Sequence, residues 1–86
     1  MARYRLLIKP LAVKEIEAIP LKRDRQRVAE PISKLADDPR PSGSEKISGQ
    51  DKYRVRQGRY RILYVIEAQD LIVQVVKVGH RKDVYR

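Results

Sequence analysis

KYRVRQGRYRILYVIE, residues 52–67, decides the fold. Two runs, Lys52–Arg56 and Arg59–Glu67, carry Tyr, Val and Ile at strand-like spacing, and Gln57-Gly58 between them is a hairpin turn signal. With those two residues as the turn, Arg56 faces Arg59, Arg54 faces Arg61, Val55 faces Tyr60 and Tyr53 faces Ile62. Side chains alternate across a strand, so Arg54, Arg56, Arg59 and Arg61 emerge on one surface and Tyr53, Val55, Tyr60 and Ile62 on the other. The second set is apolar enough to pack on helices. The first is a four-arginine patch.

Downstream, Ala68–Asp70 marks a second turn, and Leu71–Val78 (LIVQVVKV) is apolar on both faces, as a central strand is. It runs into Gly79-His80-Arg81-Lys82-Asp83-Val84-Tyr85-Arg86. Upstream, Arg3 to Lys9 alternates loosely and reads as a first strand. Pro10 suits the first position of a helix, Leu11, Ala12, Ile16 and Ile19 fall at helical spacing, and Pro20 stops it. A second helix is expected from about Leu21 to Asp37, with Leu21, Val28, Ile32 and Leu35 on one face. Pro31 inside it predicts a kink or break near Glu30, because an interior proline costs about 3 kcal/mol. Residues 37–51, rich in Pro, Gly, Ser and Asp, read as an ordered connection with Ile47 as its aliphatic anchor. The expected fold is one α+β domain spanning residues 1–86, in the order β-α-α-β-β-β. Its sheet is antiparallel, with proposed strand order 2-3-4-1, and packs on a helical hairpin.

Composition narrows the function. The chain has 86 residues, enough for one small domain and too few for a separate cofactor domain. It has no cysteine and a single histidine, His80, which removes disulfides, thiol nucleophiles and multi-histidine metal sites, so no metal or cofactor is expected. No apolar run approaches the ~18–20 residues of a membrane span and no signal segment opens the chain, which therefore reads as cytoplasmic. The net charge is +9, and twelve of the twenty basic residues are arginine. Residues 52–86 hold nine basic and three acidic residues, so the C-terminal two-fifths supply most of the field.

Such an excess favours a polyanionic partner. Like charges opposed across strands are destabilising, so stability alone does not select the arginine pairs. An anion does, because arginine offers bidentate donors to phosphate oxygens at any ordinary pH. The plainer alternative is a solvated face that keeps the protein soluble. His80 is suited to proton transfer near neutral pH, or is simply a surface histidine. Tyr85 is either a packing lid over the sheet edge or a ring on which a base stacks.

At Lys46-Ile47-Ser48-Gly49, Tyr53 through Tyr64 (YRVRQGRYRILY) and Val76 through Tyr85 (VKVGHRKDVY), the chain resembles the RelE/ParE toxin superfamily, most closely its RelE branch. That resemblance implies the toxin of a type II toxin–antitoxin pair. It also implies a ribosome-dependent endoribonuclease that cuts mRNA in the A site, through attack of a 2′-OH on the adjacent phosphate. In-line attack needs a base near the 2′-OH, cations for the charge gathering on phosphate, and an acid for the leaving oxygen.

By the same resemblance, Arg54 and Arg56 lie where RelE proteins place basic groups around the scissile phosphate. Arg61 and Arg81 match phosphate-clamping arginines, and Tyr85 matches a tyrosine that orients the base. His80 lies beside Arg81. The remaining basic residues of this stretch, Lys52, Arg59, Lys77, Lys82 and Arg86, are expected to bind RNA. The chain departs from the familiar pattern in carrying arginines where lysines stand on the second strand. Arginine is no ordinary general base, so either His80 takes that role or positioning and charge stabilisation carry the reaction. No other titratable base stands out, Glu67 and Asp83 being the nearest carboxylates.

The implied partners are the ribosome with its mRNA and an acidic cognate antitoxin in a hetero-oligomer. Two other readings stand beside this one: a ParE-like gyrase poison without nuclease chemistry, and a nucleic-acid-binding module without catalysis.

Overall fold

A computed structural model of the chain describes residues 3–47 and 51–80. Its elements are β1 (Arg5–Ile8), α1 (Pro10–Glu17), α2 (Lys22–Lys34), β2 (Glu45–Ile47), β3 (Lys52–Gln57), β4 (Tyr60–Glu67), a single 3-10 turn (Ala68–Asp70) and β5 (Ile72–His80). The five strands form one sheet in the order β1-β5-β4-β3-β2. The four strands expected from the sequence keep their expected order, and β2 adds an edge. The sheet is mixed rather than antiparallel. β1 pairs in parallel with β5, Arg5 beside Ile72 through Ile8 beside Val75, because the two helices carry the chain to the far side of the sheet and the antiparallel β2-β3-β4-β5 meander brings it back beside β1 in β1's direction.

α1 starts at Pro10, as its missing N–H allows, and lies over β5, while α2 covers β3 and β4. Between helices and sheet sits one core. Ala12, Ile19, Val28, Ile32 and Leu35 come from the helical layer, and Tyr53, Ile62, Tyr64, Ile66, Val73, Val75 and Val78 from the strands. Two expected core positions are outside it. Leu11 and Leu21 are 55% and 52% exposed, because each sits at the start of its helix, beyond the sheet's cover. α2 runs unbroken through Pro31, contrary to the expected kink or break. Proline removes only the bond to the Arg27 carbonyl and stands in the last turn, three residues from the helix end, while the buried Val28 and Ile32 hold both sides of that position on the sheet.

Residues 37–47 of the expected connection are more structured than their composition implies. Glu45–Ile47 adds to β3 in antiparallel register, Glu45 opposite Arg54 and Ile47 opposite Lys52. The connection is pinned to the core from below: the Tyr64 hydroxyl donates to the Pro39 carbonyl at 2.7 Å and Arg40 Nε donates to the Tyr53 hydroxyl at 3.1 Å. The Tyr53 and Tyr64 rings stack with centroids 5.9 Å apart.

Candidate functional site

The β3–β4 hairpin turns at Gly58-Arg59, one residue later than expected. Gln57 pairs with Tyr60, Arg56 with Arg61, Val55 with Ile62 and Arg54 with Leu63. Gly58 has φ 59° and Arg59 has negative φ, the combination of a type II′ turn, which needs glycine at its first central position. The whole register has therefore slipped by two, and a slip of two preserves which face each side chain occupies. Lys52, Arg54, Arg56 and Arg61 share the face away from the helices, and Tyr53, Val55, Ile62 and Tyr64 the face toward them. Arg59 occupies the turn itself and does not stand across from Arg56.

On the outer face Arg56 is exposed and directly opposite Arg61, which is 8% exposed between Arg56 on one side and Gly79 on the other. Arg54 is less exposed than Arg56, and its Nε donates to Glu45 Oε2 at 3.0 Å, with a second contact from its terminal nitrogen to the same oxygen. That hydrogen bond and the Arg54 charge hold the Glu45 carboxyl below its ordinary range, and the fields of Arg56 and Arg61 push the same way. Glu45 thus belongs to the arginine cluster as its carboxylate. Sequence reading missed it because the cross-strand partner of Arg54 lies in a segment whose Pro, Gly and Ser content reads as loop.

Two expected site residues are elsewhere. Lys77 donates from Nζ to Glu15 on α1 at 2.9 Å, and the other oxygen of that carboxylate accepts from the Val78 backbone N–H at 3.0 Å. Lys77 is thereby committed to the α1–β5 contact. His80 lies on the helix side, its ring edge-on to Tyr60 with centroids 6.0 Å apart, in a cleft under α2. The cause is a bulge. Leu63 pairs with Lys77 but Tyr64 pairs with Val75, so Val76 is an extra residue in β5, and everything beyond it changes faces. Arg81, Lys82, Tyr85 and Arg86 lie outside the described residues. Among the described residues no group of three or more His, Asp or Glu side chains could hold a metal ion, and no helix is long and apolar enough to cross a membrane.

What the outer face can do follows from its parts. Three guanidiniums within one hairpin can bind a phosphodiester bidentately and stabilise added negative charge on its oxygens. None of them can take a proton, but Glu45 beside them can.

The same architecture recurs in solved toxin structures. The archaeal RelE–RelB complex from Pyrococcus horikoshii aligns with a TM-score of 0.79 and 28% identity, covering 98% of this chain and 100% of that one. The RelBE2 complex from Mycobacterium tuberculosis aligns at 0.78 and 23% identity, over 92% and 99% of the two chains. The isolated E. coli RelE toxin aligns at 0.78 and 23%, over 95% and 90%. No curated protein sequence matches the chain. A small domain with two helices on one side of this sheet, shared with RelE toxins almost end to end, defines the class: toxins of type II toxin–antitoxin systems. Within that class the chain belongs to the ParE toxin family, described as "ParE toxin of type II toxin-antitoxin system, parDE", whose profile matches residues 6–85.

Proposed function

We propose that this toxin is an mRNA endoribonuclease acting in the ribosomal A site, in the cytoplasm, and held in check by a cognate antitoxin with an acidic contact segment. The observation that carries the reading is the arginine face: Arg54, Arg56 and Arg61 on one side of one hairpin, with two of them opposed across the strands at a cost in stability. A phosphodiester in that concentration of positive charge offsets the repulsion. Attack of the 2′-OH oxygen on phosphorus forms the cyclic phosphate and breaks the bond to the 5′ oxygen, which takes a proton from water to leave as a free 5′-OH. The guanidiniums stabilise the extra charge on the phosphoryl oxygens as it develops. Glu45, kept ionised beside Arg54, is the described group placed to accept the 2′-OH proton. Its acidity makes it a weak base, so charge stabilisation carries the larger share of the rate. His80, on the other side of the sheet from Arg56 and Arg61, is not in that role.

Inducing the toxin and sequencing mRNA 5′ ends tests the reading, with wild type beside Arg56→Ala and Arg81→Ala. New in-frame ends confined to wild type are expected. Growth arrest with unchanged transcripts would remove the nuclease. The ParE family match favours one other reading, poisoning of DNA gyrase. A DNA-damage response on induction, persisting in Arg56→Ala, would select it.

A further inference from the structure

A second concentration of positive charge lies on the opposite side of the sheet. Between the N-terminal half of α2 and the tip of the β3–β4 hairpin is an open cleft of about 450 Å³, with Arg23, Asp24 and Arg27 on the helix side and Arg59, Tyr60 and His80 on the strand side. Its size falls within the ~300–1,000 Å³ typical of small-ligand sites. Three guanidiniums against one carboxylate give it an anionic preference, and two aromatic rings give it a stacking surface. Arg27 and Gln57 also line a smaller hollow of about 140 Å³ that continues along α2 toward Lys34. The hairpin tip lies between the cleft and the arginine face: Gly58 and Arg59 form the turn, and Arg56 and Arg61 each stand two residues from it on the other side of the sheet.

We infer that this cleft is a second single-stranded RNA site, taking a nucleotide of the strand whose scissile phosphate is held on the arginine face. Its phosphate meets Arg23, Arg27 and Arg59, and its base lies against Tyr60 and His80. The identity of the polymer rests on the nuclease reading above; the site itself rests on the cleft. Guanidinium pairs and aromatic rings are the combination that binds single strands without strong sequence preference. Asp24 decides between RNA and an acidic peptide. A carboxylate repels the acidic side chains of such a peptide, which offer it no donor, but accepts a hydrogen bond from a base's exocyclic amino group, which favours adenine, cytosine or guanine over uracil at this position.

The test is fluorescence anisotropy with a labelled six-nucleotide 2′-O-methyl RNA, which cannot be cleaved by 2′-OH attack, so binding is read apart from chemistry. Arg23→Ala/Arg27→Ala should weaken binding about tenfold and lower the log–log salt slope by roughly 1. Arg59→Glu should weaken it further. His80 is the single histidine of the chain, so its ring signals are unambiguous by NMR. They should shift on adding RNA to wild type and stay put in Arg23→Ala/Arg27→Ala. Wild-type affinity and salt slope in both variants would overturn the inference, as would variants that lose an acidic peptide but keep RNA. Cleft-dependent binding with no mRNA cleavage in cells would remove the nuclease and leave this site standing; cleavage with cleft-independent binding would do the reverse.

Discussion

Arg56 and Glu45 mark the two limits of what a single residue shows. Arg56 is exposed, makes no contribution to the core and faces Arg61 across the strands, so Arg56→Ala should abolish growth arrest while raising Tm by a few degrees as the repulsion is relieved. A fall in Tm of several degrees would assign it a structural role instead. Glu45→Gln should have opposite effects on binding and chemistry. Removing a negative charge from the arginine field tightens RNA binding severalfold, whereas losing the proton acceptor slows cleavage by ~10²-fold or more. Tighter binding with undiminished cleavage would exclude Glu45 as the base. The arginine face was legible in the sequence because parity survived the error in the turn. Glu45 was not, since its relation to Arg54 exists only through a strand pairing that no local signal announces. The face that His80 occupies was not legible for a third reason: a strand apolar on both faces gives no alternation by which a one-residue bulge at Val76 can be detected.

At the scale of elements, the hairpin turn and α2 each depend on one unusual residue. A side chain at Gly58 would meet nothing within 4 Å, so its requirement is conformational rather than steric: φ 59° is the left-handed region. Gly58→Ala should destabilise by about 1 kcal/mol, and Gly58→Asn by less. In a domain of this size ~1 kcal/mol moves Tm by about 4–8 °C, well within reach of calorimetry. Equal melting temperatures for Ala and Gly would refute the turn assignment. Pro31 is the converse case, a residue the helix tolerates rather than needs. Pro31→Ala restores an N–H donor and should stabilise by about 1–3 kcal/mol; a loss of stability would show that the proline ring's packing outweighs the bond it removes. Helix starts and strand order were legible from proline placement and apolar spacing. The parallel pairing of β1 and the edge strand β2 were not, because both are fixed by tertiary packing.

For the molecule as a whole, Tyr64 ties the core to the 37–51 connection. It is fully buried, and burial pushes its phenol up to about 12. A folded-state value above that of the unfolded chain means the unfolded state releases the proton first, so stability is whole below about pH 10 and falls between about 10 and 12, by roughly 1.4 kcal/mol per pH unit. Urea titrations at pH 8, 10 and 11.5 should show that decline, and in Tyr64→Phe it should be much reduced. A flat profile in wild type would mean the phenol is not sealed.

β1 is the last strand on its side of the sheet among the described residues, and Leu7 and Ile8 on it are 41% and 38% exposed. Such a border invites another copy to zip alongside, and mutual repulsion between molecules of charge +9 opposes that pairing. Salt removes that repulsion, its reach shrinking from about 10 Å at 0.1 M to about 3 Å at 1 M. The isolated toxin should therefore store best in dilute buffer and clump in brine, the reverse of most proteins that precipitate for want of charge.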